Sequence, residues 1–198
     1  MEKRHLYIVL TRTNTVMSKL IHIFTNDKYT HAAISLDKEL NQMYSFGRRS
    51  TYNPFIGRFR KEDINEGVYK LCNPLPGAII EVEVTREQYD EAKKLLDHFI
   101  INSHLYKYNY WGILHSFLNK PACSDYSFLC SEFVYHILKE SGAADLKISR
   151  NLVRPQSLLN IEGRIIYQGN LKAIKPPKNR LSQKEIWTRR LRAIYGQI

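Results

Sequence analysis

Nowhere in the 198 residues does an apolar run approach the ~20 residues needed to cross a bilayer. The apolar stretch after Met1, Glu2, Lys3 and Arg4 is cut short at Thr11 and Arg12. At about five residues it is too brief for the core of a signal peptide, so a cytoplasmic location is expected. Cysteine is scarce as well, with only Cys72, Cys123 and Cys130. An odd count without a secretory signal argues against a disulfide framework. The spacing of Cys123 and Cys130 fits no common zinc pattern, and no second Cys/His pair completes a four-ligand set. No metal and no organic cofactor is therefore expected, and the cysteines either pack or one of them does chemistry. Internal repeats and low-complexity segments are also missing.

Acidic residues are outnumbered 19 to 30 by lysine and arginine, which gives a formal charge of +11. Part of the excess lies at Arg48, Arg49, Arg58, Arg60 and Lys61, and part in the tail from Lys172 to Arg192. Such a balance suits a solvated surface, an anionic membrane or an acidic partner. No helix-turn-helix, zinc-finger or RNP-like pattern accompanies it, so nucleic-acid recognition is not expected.

Hydrophobic residues make up 43% of the chain, enough for one domain with a packed core. Residues 6–11, 29–36, 41–46, 67–71, 78–84 and 165–168 read as strands, and 47–60 as loop. Residues 15–24 have near-helical apolar spacing. Residues 85–100 read as a helix opened by a Thr85/Gln88 capping box, with Tyr89, Ala92, Leu95, Leu96 and Phe99 on one face. A tyrosine-rich stretch, 106–118, is expected to be helical in part, with Tyr106, Tyr108 and Tyr110 packing or lining a pocket. Residues 128–141 form the clearest helix, closed by Gly142. A short helical turn is expected over 153–159. The composition shifts after Pro176 and Pro177, which divides the chain into a domain at 1–175 and a basic tail at 176–198. That tail suits a basic amphipathic helix with Ile186, Leu191 and Ile194 on its apolar side. Strands and helices do not alternate strictly, so the fold class is α+β, with a mainly antiparallel sheet and helices packed on it.

A cysteine hydrolase needs an activated thiolate, an imidazole to exchange its proton and a polar group to orient that imidazole. Cys130 opens a helix, where unpaired N–H groups and the helix dipole favour a negative sulfur and can bind an oxyanion. The alternative is that Cys130 is only a small buried residue. Cys72 ends a strand and reads as packing, and Cys123 has no helix behind it. His136 lies six residues beyond Cys130, about 120° around the same helix, so the two cannot meet. His98 reads as packing, and His5, His22, His104 and His115 lack a polar partner at a suggestive spacing. His31 opens a strand whose small residues Ala32 and Ala33 admit a close neighbour. On the next strand Met43 and Ser45 share a face, which makes Ser45 the candidate orienting group.

The run Leu129-Cys-Ser-Glu-Phe-Val resembles the Cys-Ser-Gly-Phe-Val nucleophile motif of NlpC-type cysteine peptidases. Tyr29-Thr-His-Ala-Ala-Ile-Ser-Leu resembles their histidine strand. His31 precedes Cys130 by 99 positions (130 − 31), which resembles the circularly permuted branch containing YiiX/YebB-like proteins and the lecithin:retinol acyltransferase group. The lead-in from Leu10 to Thr25 and the segment Met43-Tyr-Ser-Phe-Gly-Arg-Arg are similar to the YiiX-like pattern. The likeness spans roughly residues 6–170.

This resemblance implies a permuted papain-like fold, with Cys130 as nucleophile, His31 as base and the third catalytic position near Ser45, where the chain departs from the usual His, Asn, Glu or Gln. Glu132 stands where the motif has glycine. The implied activity is a thiol-dependent hydrolase or acyltransferase working on an amide or ester bond through an acyl-thioester. Its substrate would be a peptide, a cell-wall fragment or a lipid or acyl group, with the tail able to hold an anionic membrane. The alternatives are a catalytically silent binding module of the same fold and a basic nucleic-acid-associated protein.

Overall fold

The run Leu6, Tyr7, Ile8, Val9, Leu10 has no polar face to offer water, and its shortness and its β-branched and aromatic residues suit a strand covered on both sides. In the computed structural model, which describes residues 3–13, 26–48, 57–108 and 126–174, it forms β1 (Arg4–Thr11) inside a six-stranded sheet. The other strands are β2 (His31–Ser35), β3 (Met43–Arg48), β4 (Gly57–Glu62), β5 (Pro76–Val84) and β8 (Arg164–Asn170). Their order is β4-β3-β2-β1-β5-β8, and every neighbouring pair is antiparallel. Two short strands, β6 (Lys107–Tyr108) and β7 (Ser127–Phe128), pair in parallel apart from it. The fold is α+β.

Alternation along β1 divides the core in two. Leu6, Ile8 and Leu10 face one cluster together with Ala32 and Ile34 of β2 and Phe46 of β3. Helices α2 (Arg86–Ile101) and α3 (Cys130–Glu140) cover that face through Ala92, Leu96, Phe99, Phe133, Val134 and Ile137. Tyr7 and Val9 face the opposite cluster with Ala33, Met43, Ile64, Tyr69, Leu75 and Leu171. There a single helical turn, α1 (Gly67–Lys70), supplies Tyr69.

Local chemistry fixes the ends of the helices. The Gln88 N–H donates to Thr85 Oγ1 at 3.2 Å, and the Thr85 N–H donates to Gln88 Oε1 at 2.9 Å, which completes the expected capping box. Gln88 Nε2 also donates to the Gly142 carbonyl at 2.6 Å, joining the start of α2 to the end of α3. Gly142 takes φ +71°, and the N–H groups of Gly142 and Ala143 turn back onto the carbonyls of Lys139 and Leu138.

Three expectations need correction. Residues 57–62 form edge strand β4 and not loop, and β3 continues to Arg48. The loop reading rests on Asn53-Pro54 and Gly57, whereas the charged side chains that follow are how a sheet keeps an edge strand in water. Residues 67–70 form α1 and not a strand, because Gly67 takes φ +56° and turns the chain. Phe128 belongs to β7, so α3 begins at Cys130 itself. The short turn expected over 153–159 is a 3₁₀ turn, Pro155–Asn160. The helix expected at 15–24, residues 109–118, Cys123 and the tail from 176 to 198 fall outside the described residues. Among the described residues no helix is long and apolar enough to cross a membrane.

Phe133 ties α3 to the sheet. It is fully buried, with its ring 5.3 Å from Phe46, 5.4 Å from Phe59 and 5.1 Å from Phe99. Truncation to alanine leaves a cavity that these rings cannot fill. Phe133→Ala should cost about 3–5 kcal/mol in urea unfolding, and a loss below 1 kcal/mol would mean that α3 is not anchored there.

Candidate functional site

α3 packs on the face that carries Ala32, Ile34 and Phe46, and its first residue is Cys130, which is 5% exposed. Two neighbours fix this end of the helix. The Ser131 hydroxyl donates to the Val153 carbonyl at 2.6 Å. Glu132, also buried, accepts the Leu129 N–H on Oε2 at 2.7 Å. This carboxylate thus binds its own helix start, where the dipole favours negative charge.

His31 begins β2, with Thr11 of β1 as its cross-strand partner. Its Nε2 donates to Glu62 Oε2 at 3.1 Å. Glu62 comes from β4 opposite Met43, which is in turn opposite Ser35, so His31 and Glu62 project from the same face of the sheet. The pair is largely shielded, with side chains 17% and 8% exposed. Tyr69 of α1 donates its phenol proton to the same Glu62 Oε2 at 2.8 Å. Thr11 is fully buried, and its hydroxyl lies beside the phenol without a well-formed hydrogen bond.

Gly47 makes room for this arrangement. A Cβ there would lie 2.8 Å from Glu62 Oε1 and 3.8 Å from His31 Cε1. The absence of a side chain lets the carboxylate cross from β4 to the imidazole.

The charges reinforce one another. Burial lowers the imidazole pKa, but the charge and hydrogen bond of Glu62, together with the neighbouring Cys130, raise it to about 10. Burial pushes Glu62 upward, yet the His31 charge, the hydrogen bonds from His31 and Tyr69, and Arg60 bring it below its usual value. The state favoured at neutral pH is an imidazolium between a carboxylate and a sulfur. With Nε2 committed to Glu62, Nδ1 is the nitrogen left to serve Cys130.

The structure therefore brings together two of the three expected residues, Cys130 and His31. Ser45 shares the sheet face of His31 but does not orient the ring. Its Oγ donates to the Ala32 carbonyl at 2.6 Å and the Phe46 carbonyl at 3.3 Å. The orienting position belongs to Glu62, which sequence reasoning missed. Within Arg-Phe-Arg-Lys-Glu it looked like one more solvated charge, and only its acidity in a basic stretch distinguished it. Cys72 is buried, as expected of a packing residue. His98 is exposed, not packed, with Nε2 3.0 Å from the Tyr106 hydroxyl. Among the described residues no group of three or more His, Cys, Asp or Glu side chains could hold a metal ion. Compared with family models, curated proteins and solved structures, the chain matches none.

Two predictions follow from this geometry. Gly47→Ala should move the Glu62 carboxylate and lower the His31 pKa by more than a unit, read from its imidazole NMR titration, whereas Ser45→Ala should leave that titration unchanged. The stability conferred by the pair should also depend on pH in a defined window. Raised in the fold, His31 stabilises fully below its ordinary 6.5, progressively less above it, and not at all once pH passes about 10. Lowered in the fold, Glu62 stabilises above its ordinary 4.5 and loses that contribution as pH falls below it. The stability difference between wild type and Glu62→Gln in urea unfolding should therefore peak between 4.5 and 6.5. A difference that is flat from pH 4 to pH 10 would show that the pair is not ionised in the fold.

Proposed function

We propose that the protein is a thiol-dependent hydrolase or acyltransferase that cleaves an amide or ester bond through Cys130 and His31. We further propose that its fold is the permuted papain-like arrangement of the NlpC type, in the YiiX/YebB-like branch. The observation that carries the reading is the ordered series Cys130, His31, Glu62: a sulfur at the first position of a helix, an imidazole beside it, and a buried carboxylate on the far ring nitrogen. These are the parts nucleophilic thiol catalysis requires.

In this mechanism the Cys130 sulfur attacks the carbonyl carbon, and the C=O π electrons move onto oxygen. Unpaired N–H groups at the start of α3, that of Cys130 first, hold the oxyanion. As the tetrahedral adduct collapses, the bond to the leaving group breaks, and His31 gives that group its proton from Nδ1. The product is a thioester on Cys130. His31, now neutral, takes a proton from water or from an acceptor nucleophile as that group attacks the thioester. The sulfur leaves as thiolate and the imidazolium is restored. Glu62 stays ionised and holds the ring in place.

The substrate classes proposed are a peptide, a cell-wall fragment, or a lipid or other acyl compound. The basic tail is proposed to hold an anionic membrane surface when the substrate is a lipid.

Activated acyl esters provide the test. Incubation with a panel of p-nitrophenyl esters should add one acyl group to Cys130, read by peptide mass spectrometry. Cys130→Ala should remove the adduct while leaving thermal melting cooperative. Hydrolysis that survives intact in Cys130→Ala would end the proposal. A folded wild type that never acylates would leave a binding module of the same fold.

A further inference from the structure

Glu62 Oε2 receives two donors, His31 Nε2 at 3.1 Å and the Tyr69 hydroxyl at 2.8 Å. We propose that Tyr69 is a positioning residue that moderates the imidazole: by donating to the oxygen that holds His31, it draws charge from that oxygen and keeps the imidazolium able to release its proton. The proposal rests on the reading of Cys130 and His31 as the reacting pair.

The physical case starts from competition at one atom. Two donors on a single carboxylate oxygen weaken each other, because each withdraws charge the other would use. The Tyr69 bond is therefore stronger when His31 is neutral than when it is charged. It stabilises the neutral imidazole relative to the imidazolium. A buried imidazolium facing an unshared carboxylate would be so stable that protonating a leaving group becomes difficult. General acid catalysis works best when the acid's pKa lies near the operating pH.

The surroundings favour this role. The groups facing the imidazole and its carboxylate are Glu62 and Arg60 from β4, Cys130 from α3, Tyr69 from α1 and Thr11 from β1. Tyr69 is the neutral donor of this set near the carboxylate. Burial and the Glu62 charge hold its phenol pKa well above the ordinary value, so it keeps its proton throughout the working range. Its ring stands edge-on to His31 with centroids 6.0 Å apart, and the residue is 5% exposed among Val9, Ala33, Met43 and Leu75. Packing fixes where the hydroxyl points. A residue present only to fill this core has no need of a hydroxyl, and phenylalanine would do the same work.

The test reads the His31 imidazole directly by NMR, in the full chain labelled with ¹³C-histidine. The His31 signal is identified by its loss in His31→Gln. Wild-type His31 should titrate well above 6.5. Tyr69→Phe should raise that midpoint further, by about half a unit or more. Replacing Tyr69 with 3-fluorotyrosine, a stronger donor of the same shape, should lower it. Opposite shifts from two near-isosteric changes cannot come from a loss of packing, and the fluorinated protein keeps the test open if Tyr69→Phe fails to fold.

A midpoint that is unmoved or lower in folded Tyr69→Phe overturns the role of Tyr69, as does a midpoint that fluorination does not lower. A wild-type midpoint near 6.5 that does not change in Cys130→Ser instead overturns the pairing of Cys130 with His31. The two failures are thus told apart.

Discussion

A carboxylate cannot be taken out of water alone, and Glu62 is almost entirely out of water. Much of the site follows from that constraint. Its charge needs a cation, and His31 supplies it. It needs further donors, and Tyr69 supplies one. It needs space beside β3, and Gly47 supplies it by having no side chain. Four elements are set by one buried charge: the edge position of β4, the turn that carries Tyr69, the glycine in β3 and the start of β2. Burying such a pair adds little net stability, because the desolvation of two ions offsets most of their attraction. What the pair secures is orientation. The imidazole is held by Nε2, which leaves Nδ1 as the nitrogen not committed to Glu62.

That helix end carries two acidic groups, and they use different donors. Glu132 takes the Leu129 N–H, which lies just before the helix. In the proposed mechanism the N–H groups that follow serve the sulfur and a developing oxyanion. A buried carboxylate two residues from Cys130 would oppose a negative sulfur if it pointed at it. Folded back onto its own N-cap, it instead spends its charge on the helix start. Glu132 thus turns one carboxylate oxygen onto the backbone just before Cys130.

The sheet's centre and its two long helices were legible because their signals are local. The apolar run of β1, the Thr85/Gln88 box and the apolar stripe of α3 each lie within a few residues. Cys130 and His31 were legible for a similar reason, since one starts a helix and the other starts a strand. The orienting group was not, because its identity depends on a partner 31 residues away in sequence. Arg58, Arg60 and Lys61 give β4 the look of a solvated loop, and nothing in that stretch marks Glu62 as the charge that turns inward. The choice of Ser45 had the right face and the wrong reach. A hydroxyl one carbon from the backbone is captured by the nearest carbonyl, here that of Ala32.

Reach also explains why the acid comes from β4. Residue 47 lies beside the imidazole, where a Cβ would come within 3.8 Å of the ring. An acid at position 47 would have to fold back along its own strand to meet Nε2, within a few ångströms of its own backbone. A glutamate from the strand beyond spans the gap with its carboxylate extended, and the phenol from α1 meets the same oxygen from the second face of the sheet. The carboxylate is then anchored by two elements, and neither carries Cys130 or His31. His31, Glu62 and Tyr69 are thus gathered on one face of the sheet, and Cys130 is carried at the end of a helix packed against the other.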